Sequence, residues 1–328
     1  MKKILVIRFS SIGDIVLTTP VVRALKQQLN CELHALTKKQ NQEIFVNNPF
    51  VDKVFTFSKS EKEIIPALKK ENYDFVVDLQ KNIRSAVVRN ALKTNYATFP
   101  KYNFEKWLLV NFKINKLPAI HIVDRYFEAV KPLGVSNDGK GLDYFIPAKD
   151  EVDTAMEDES LKHKFIAFVI GGKHKTKIFP SVKIAEVINR LKYPVVLLGG
   201  KEDADRGEEV IKLTQGKKVF NLCGRYNLNR SASWVKQCNV LVTNDTGLMH
   251  IGAAFKKNII TIWGNTVPEF GMYPYLPAEE GKSFWAEVSG LKCRPCSKIG
   301  YKKCPKKHFR CMMEQDTEKI VTEINRRF

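Results

Sequence analysis

Residues 242–254, VTNDTGLMHIGAA, decide how this chain is read. Val240, Leu241 and Val242 lead into them as a short apolar run of the kind a buried strand carries, and Gly252, Ala253 and Ala254 belong to a helix slim enough to pack closely. Between the two lies a strand-to-helix turn. In open α/β sheets ligands sit at such turns, beyond the carboxyl ends of the strands. The first N–H groups of a helix have no intrahelical partner and carry the positive end of its dipole, so the positions around Thr246 and Gly247 suit a phosphate or diphosphate. Gly247 removes a Cβ that would hold an anion off, and Thr246 adds a hydroxyl donor. A plain helix cap at Asp245 or Thr246 accounts for the same residues about as well.

Outward from this turn the pattern repeats. In the second half, strands are expected at 165–170, 195–198, 219–222, 240–242 and 259–263; in the first half, at 3–9, 32–36, 53–57 and 75–79. Helical stretches separate them, which implies α/β folding with parallel sheets covered on both faces. One helix runs from the loop Ser10, Ser11, Ile12, Gly13, Asp14 to about Leu29, with Pro20 as a kink or an early turn. The 328 residues exceed the usual domain of about 100 to 200, so two domains are expected. The acidic stretch Asp150, Glu151, Asp153, Glu157, Asp158 and Glu159, read as a solvated helix or linker, marks their boundary, giving 1–150 and 151–328. Residues 314–328 read as a closing helix able to cross back to the first domain.

A formal charge of +19 calls for an anionic partner, whether nucleic acid, an anionic membrane surface or a phosphorylated substrate. No apolar run approaches the roughly 18 residues of a membrane span, and the apolar part of MKKILVIRF is too short for a secretory signal, so a cytoplasmic protein is expected. Residues 102–114 mix aromatic and basic side chains and are read as a packed domain edge in preference to a membrane-lying segment. GxGxxG is missing from the first turn of either half, which disfavours a nicotinamide or flavin cofactor.

Three further turns carry polar chemistry. Gly171 and Gly172 precede Lys173, Lys175 and Lys177, a phosphate cradle or a solvated basic loop. Glu202 and Asp203 follow Gly199 and Gly200, where a carboxylate can hold a ribose hydroxyl pair or start a helix. Gln80, Asn82, Arg84 and Ser85 follow Asp78 at another strand exit, as a ligand rim or as solvated helix-start residues.

Taken together, RFSSIGDIVLTTPVV at 8–22, KIFP at 177–180, and NDTGLMHIGAA with the following ITIWGNTVP resemble, in order and separation, the ADP-heptose:lipopolysaccharide heptosyltransferases of glycosyltransferase family 9. The resemblance implies the GT-B architecture, two Rossmann-like domains facing a central cleft, with acceptor on the N-terminal and nucleotide sugar on the C-terminal domain. It implies Asp14 as general base and Lys177 as a contact to the donor phosphates, with Phe179 where the family often has Trp. It implies Asp245, Thr246, Gly247 and His250 around diphosphate and sugar, and Asp203, with Glu202 close by, on the ribose. Arg8, Ser10, Ser11, Gly13, Gln80, Asn82 and Arg84 fall on the acceptor side, where an arginine fork suits the anionic groups of a glycolipid or merely a surface ion pair.

These residue types suit the chemistry independently. Inverting transfer needs a base for the acceptor hydroxyl, and the leaving diphosphate needs positive charge, which Lys177 and the helix start supply without a metal. The implied partners are an ADP-sugar, a lipopolysaccharide core acceptor and the cytoplasmic surface of the inner membrane, with no nucleic acid. A basic nucleic-acid-binding protein, or a nucleotide-sugar binder without turnover, remains open as an alternative. Cys293, Cys296, Cys304 and Cys311 share a lysine-rich stretch without acids; they make a structural zinc site or a set of free or paired thiols.

Overall fold

Strands of a parallel sheet are buried on both faces, so their sequences run apolar without alternation. Ile4, Leu5, Val6 and Ile7 are fully buried, as are Val195, Val196 and Leu197. The computed structural model describes residues 1–162, 164–277 and 281–328. Two compact units result: Met1–Lys101 with Ile120–Phe145, and Tyr102–Ala119 with Ile146–Phe328.

The first unit holds β1 (Lys2–Ile7), β2 (Cys31–Lys38), β3 (Lys53–Phe57), β4 (Phe75–Asp78) and β5 (Asn95–Thr98), all parallel, in the order β3-β2-β1-β4-β5. The second holds β6 (Ile166–Val169), β7 (Val195–Leu198), β8 (Val219–Asn221), β9 (Val240–Asn244), β10 (Asn258–Trp263) and β11 (Ser283–Glu287), again parallel, in the order β11-β10-β9-β6-β7-β8. Each order changes direction once, between β1 and β4 and between β6 and β9. These are the doubly wound, Rossmann-like sheets expected of the GT-B class, and the change of direction marks where each can open a crevice.

The expected elements shift in five places. The edge strands β5 and β11 escape the apolar pattern because they are half exposed and carry NYAT and SFWAE. The long helix after β1 is two helices, Ile12–Val16 and Thr19–Gln28. At the break the hydroxyls of Thr18 and Thr19 donate to the carbonyls of Ile15 and Val16, both at 2.7 Å, and Pro20 sits in the first turn of the second helix, where its missing N–H is not needed. The unit boundary lies at 145/146, and residues 102–119 belong with the second unit because Leu109 and Val110 of the helix Asn103–Phe112 pack against Val267 and Phe270. The acidic stretch forms short turns anchored by Asp150, which is buried and accepts from the amides of Asn227 and Asn229 at 3.1 and 3.0 Å. The closing helix, Thr317–Arg327, places Ile320 and Ile324 in the second unit's own core.

In the first unit, the returning segment 120–145 is tied down by Arg23. Its buried guanidinium forks onto Asp138 at 2.7 and 2.8 Å, reaches Asp143, and donates to the Gly141 carbonyl at 2.9 Å. Arg23 also holds the Asp138 carboxyl below its usual pKa. Such a contribution is complete above the ordinary carboxylate range and fades as pH falls through the lowered folded value. Removing one partner of a buried pair leaves charge unanswered, so Arg23→Leu should cost about 3 kcal/mol in urea unfolding at neutral pH, with a smaller difference in acid. An unchanged unfolding midpoint at neutral pH would show that the cluster adds nothing to stability.

Candidate functional site

Both changes of direction collect the singled-out residues. In the first unit, Asp14 lies in the helix that follows β1, and Gln80 lies just past β4. Asp14 accepts from the Ser11 hydroxyl at 2.6 Å and the Ser11 N–H at 3.1 Å, and its other oxygen meets Arg8 at 2.6 Å. The carboxylate therefore helps cap its helix while its side chain stays partly open to solvent.

Arg8 does not reach outward. It is buried, donates to the carbonyls of Leu79 at 2.5 Å and Ser10 at 3.0 Å, and donates to the Tyr126 hydroxyl at 3.0 Å. Burial works against its charge, but Asp14 and other neighbours outweigh it and hold the guanidinium above its usual pKa. Arg8 thus fixes Asp14. Arg84 is engaged with Glu61 at 2.5 Å and with the Lys59 carbonyl at 3.1 Å, over the ring of Phe57. Asn82 accepts from the Ser85 N–H at 2.9 Å as an ordinary helix cap, and Gln80 accepts from the Phe9 N–H at 3.0 Å. Beneath this rim Asp78, fully buried, binds the N–H groups of Gln80 and Lys81 and pairs with Arg89. Ser10 is partly exposed and Gly13 is buried beside Asp14.

In the second unit, Lys177 ends the single turn Lys175–Lys177 after β6, and Asp245 and Thr246 follow β9. The Lys177 ammonium donates to Asp245 at 2.5 Å, and the Thr266 hydroxyl donates to the same carboxylate oxygen at 3.0 Å. Beneath them Asn244, fully buried, donates to the carbonyls of Val169 and Gly171 at 3.4 and 3.2 Å and accepts from the Phe179 N–H at 3.3 Å. One side chain thus locks the two strand exits together. Gly247 opens the helix Gly247–Ala254, with Thr246 as its N-cap residue and His250 buried one turn in. Burial, with Lys177 and Lys173 nearby, lowers the pKa of His174, which leaves a neutral imidazole beside the cations at pH 7.

The two carboxylates past β7 separate. Asp203 is 2 % exposed, accepts from the Gly200 N–H at 3.0 Å and pairs with Arg206 at 2.7 Å. A Cβ on Gly171 would stand 2.2 Å from its Oδ2, so the glycine makes room for that carboxylate. Glu202 is exposed and folds over Gly200. Asp203 is therefore held within its own turn, and Glu202 is the more exposed of the two carboxylates.

The model of glycosyltransferase family 9 (heptosyltransferase) matches residues 62–302. The chain belongs to this family. Lipopolysaccharide heptosyltransferase 1 of Campylobacter coli is 27% identical over 293 residues, covering 80% of this chain and 84% of that protein. Lipooligosaccharide heptosyltransferase 2 of Haemophilus influenzae is 26% identical over 293 residues, with 81% and 84% covered. Among solved structures, a family 9 glycosyltransferase from Veillonella parvula shares the fold with a TM-score of 0.77 at 22% identity, covering 99% of this chain and 96% of that one. The E. coli ADP-heptose heptosyltransferase II does so with a TM-score of 0.73 at 20% identity, covering 99% and 98%. As a family 9 glycosyltransferase, the chain is an enzyme.

Sequence reading misses the residues that hold others in place. Tyr126 is 118 positions from Arg8, and Thr266 is 21 from Asp245, with no motif linking either pair. The four C-terminal cysteines lie close enough to influence one another without forming a ligand cage. The only group of three or more His, Cys, Asp or Glu ligand atoms within 4.8 Å of one another, among the described residues, is Glu32, His34 and Glu71, and Lys3 and Lys53 already pair with Glu71 there. No three of the four C-terminal sulfurs come that close, so of the two alternatives for these cysteines the structure holds free thiols and no preassembled zinc cage. Burial pushes the Cys311 thiol up to about 12 and raises Cys296, where neighbouring Cys293 and Cys304 add to it. Alkylation with iodoacetamide at about pH 8, followed by mass spectrometry, should modify the partly exposed Cys293 and Cys304 well before Cys311. Equal rates at all three would contradict this placement.

Proposed function

We propose that this family 9 enzyme transfers heptose, with inversion, from ADP-heptose to a lipopolysaccharide core acceptor. The observation that carries the reading is the meeting of Lys177 with the helix start at Thr246 and Gly247, at the change of direction of the second sheet. N–H groups without intrahelical partners, an ammonium and a hydroxyl form the donor set that a departing diphosphate requires.

The Asp14 carboxylate, oriented by Arg8 and Ser11, takes the proton of the acceptor hydroxyl as its oxygen bonds to the anomeric carbon. The bond from that carbon to the diphosphate breaks on the opposite side, and ADP leaves with the electron pair. Lys177 and the N–H groups near Thr246 and Gly247 meet the growing charge, which makes a metal unnecessary. Asp245, held by Thr266, keeps the ammonium in position until the diphosphate competes for it. Glu202 takes the ribose hydroxyls, since Asp203 is already satisfied. His250 supports the donor loop from beneath. Because Arg8 and Arg84 are engaged within their own unit, the acceptor meets Ser10 and Gln80. The reading includes a place of work, bound peripherally at the cytoplasmic face of the inner membrane; the net charge of +19 supports it, and among the described residues no helix is long and apolar enough to cross a membrane.

The test is ADP release from ADP-heptose with a truncated lipopolysaccharide acceptor. Asp14→Asn should lower kcat at least about a hundredfold while ADP affinity stays within about twofold. A fully active variant would remove Asp14 from the chemistry, and donor binding by the wild type without turnover would favour a binding protein. In the same assay Glu202→Gln should raise the donor KM about tenfold at unchanged melting temperature, whereas Asp203→Asn should lower the melting temperature. The reverse pattern would return the ribose to Asp203.

A further inference from the structure

On an amphipathic helix, apolar residues at i, i+3, i+4, i+7 and i+8 normally face the core. Along Asn103–Phe112 those positions hold Phe104, Trp107, Leu108 and Phe112, with polar Asn111 among them, and all but the half-buried Leu108 are exposed. Phe104 is 65% exposed, Trp107 48% and Phe112 58%, while Leu109 makes the inward contact with Val267 and Phe270. The rings pack on one another: Phe104 stacks on Trp107 with centroids 6.0 Å apart, and Trp107 meets Phe112 edge-on at 5.2 Å. Single exposed apolar residues are ordinary, but a joined row of three rings on one helix face is the mark of an interaction surface.

The cysteine-bearing loop extends this face. Lys113 donates to the Pro295 carbonyl at 2.7 Å and Lys298 donates to Asn103 at 3.0 Å, so bonds at both ends of the helix lay the loop alongside it. The loop adds exposed Ile299 and Tyr301, followed by the exposed lysines Lys302, Lys303, Lys306 and Lys307. Residues 101–119 and 292–310 together contain twelve lysines and arginines against one acid, Glu105. A second copy of the same face would be repelled by that charge. Aromatic rings beside clustered lysines suit an anionic bilayer, where rings enter the boundary between headgroups and acyl chains and ammonium groups meet the headgroup phosphates.

We propose that the helix Asn103–Phe112 and the loop 293–308 form the surface by which this enzyme docks on an anionic lipid bilayer. The proposal deepens the functional reading, resting on its glycolipid acceptor only for the purpose of docking. Vesicle binding is measured without donor or acceptor, so either claim can fail alone. The full chain is sedimented with phosphatidylcholine vesicles containing or lacking phosphatidylglycerol, at about physiological salt. Wild type should bind the anionic vesicles and not the neutral ones. The triple variant Phe104→Ser, Trp107→Ser, Phe112→Ser should lose at least about tenfold in affinity, keep its melting temperature, and keep its rate on a water-soluble, deacylated acceptor. Replacing Lys302, Lys303, Lys306 and Lys307 with Gln should weaken binding separately and flatten its salt dependence. The proposal is overturned if wild type ignores anionic vesicles, or if both variants bind as wild type does. It is also overturned if light scattering shows that the triple variant has instead lost a dimer, or if an oligonucleotide binds this face and vesicles do not.

Discussion

A parallel sheet cannot be closed by hairpins, so every strand must hand over to a crossover that returns to the starting edge. Where the winding changes direction, two neighbouring strands send their crossovers to opposite sides and their exits splay apart. This chain does so twice, between β1 and β4 and between β6 and β9. Asp14 and Gln80 come from the first pair of exits, and Lys177 and Asp245 from the second. The placement of chemistry thus follows from topology before any side chain is considered. The helix start at Gly247 then adds N–H groups that no residue within the helix can satisfy.

The exits alone would be loose, and buried polar residues make them rigid. Asn244 spans β6 and β9 with three hydrogen bonds, and Arg8 gathers Asp14, the Ser10 and Leu79 carbonyls and Tyr126. A buried arginine or amide is costly unless its donors are met, so these networks hold together or fail as wholes. Asp203 works in the same way past β7, and the lack of a Cβ at Gly171 and Gly199 is what admits it.

The central strands were legible because burial on both faces forces unbroken runs such as Ile4 to Ile7 and Val195 to Leu198. Of the four edge strands, β3 and β8 were legible too, but β5 and β11 were not, since half-exposed NYAT and SFWAE carry no such run. The turns that hold polar chemistry were also legible, because glycines and charged residues stand out at strand exits. Which member of a pair is free was not: Glu202 and Asp203 are equivalent in sequence, and only closure against Gly171 decides between them. Similarly, Arg8 reads as an outward cation until Tyr126, from a distant helix, is seen to cover it. The helix Asn103–Phe112 reads as a domain edge, yet its broad apolar stripe faces away from Val267 and Phe270.

On the proposed mechanism, Lys177 beside the helix start of the second unit holds the departing diphosphate. Calorimetric titration of ADP into wild type and Lys177→Met tests it most directly, because no acceptor and no turnover are involved. A charge-assisted contact to a phosphate predicts that the variant binds ADP at least about tenfold more weakly while remaining folded. Equal affinity for ADP in the two proteins would show that Lys177 does not hold the diphosphate.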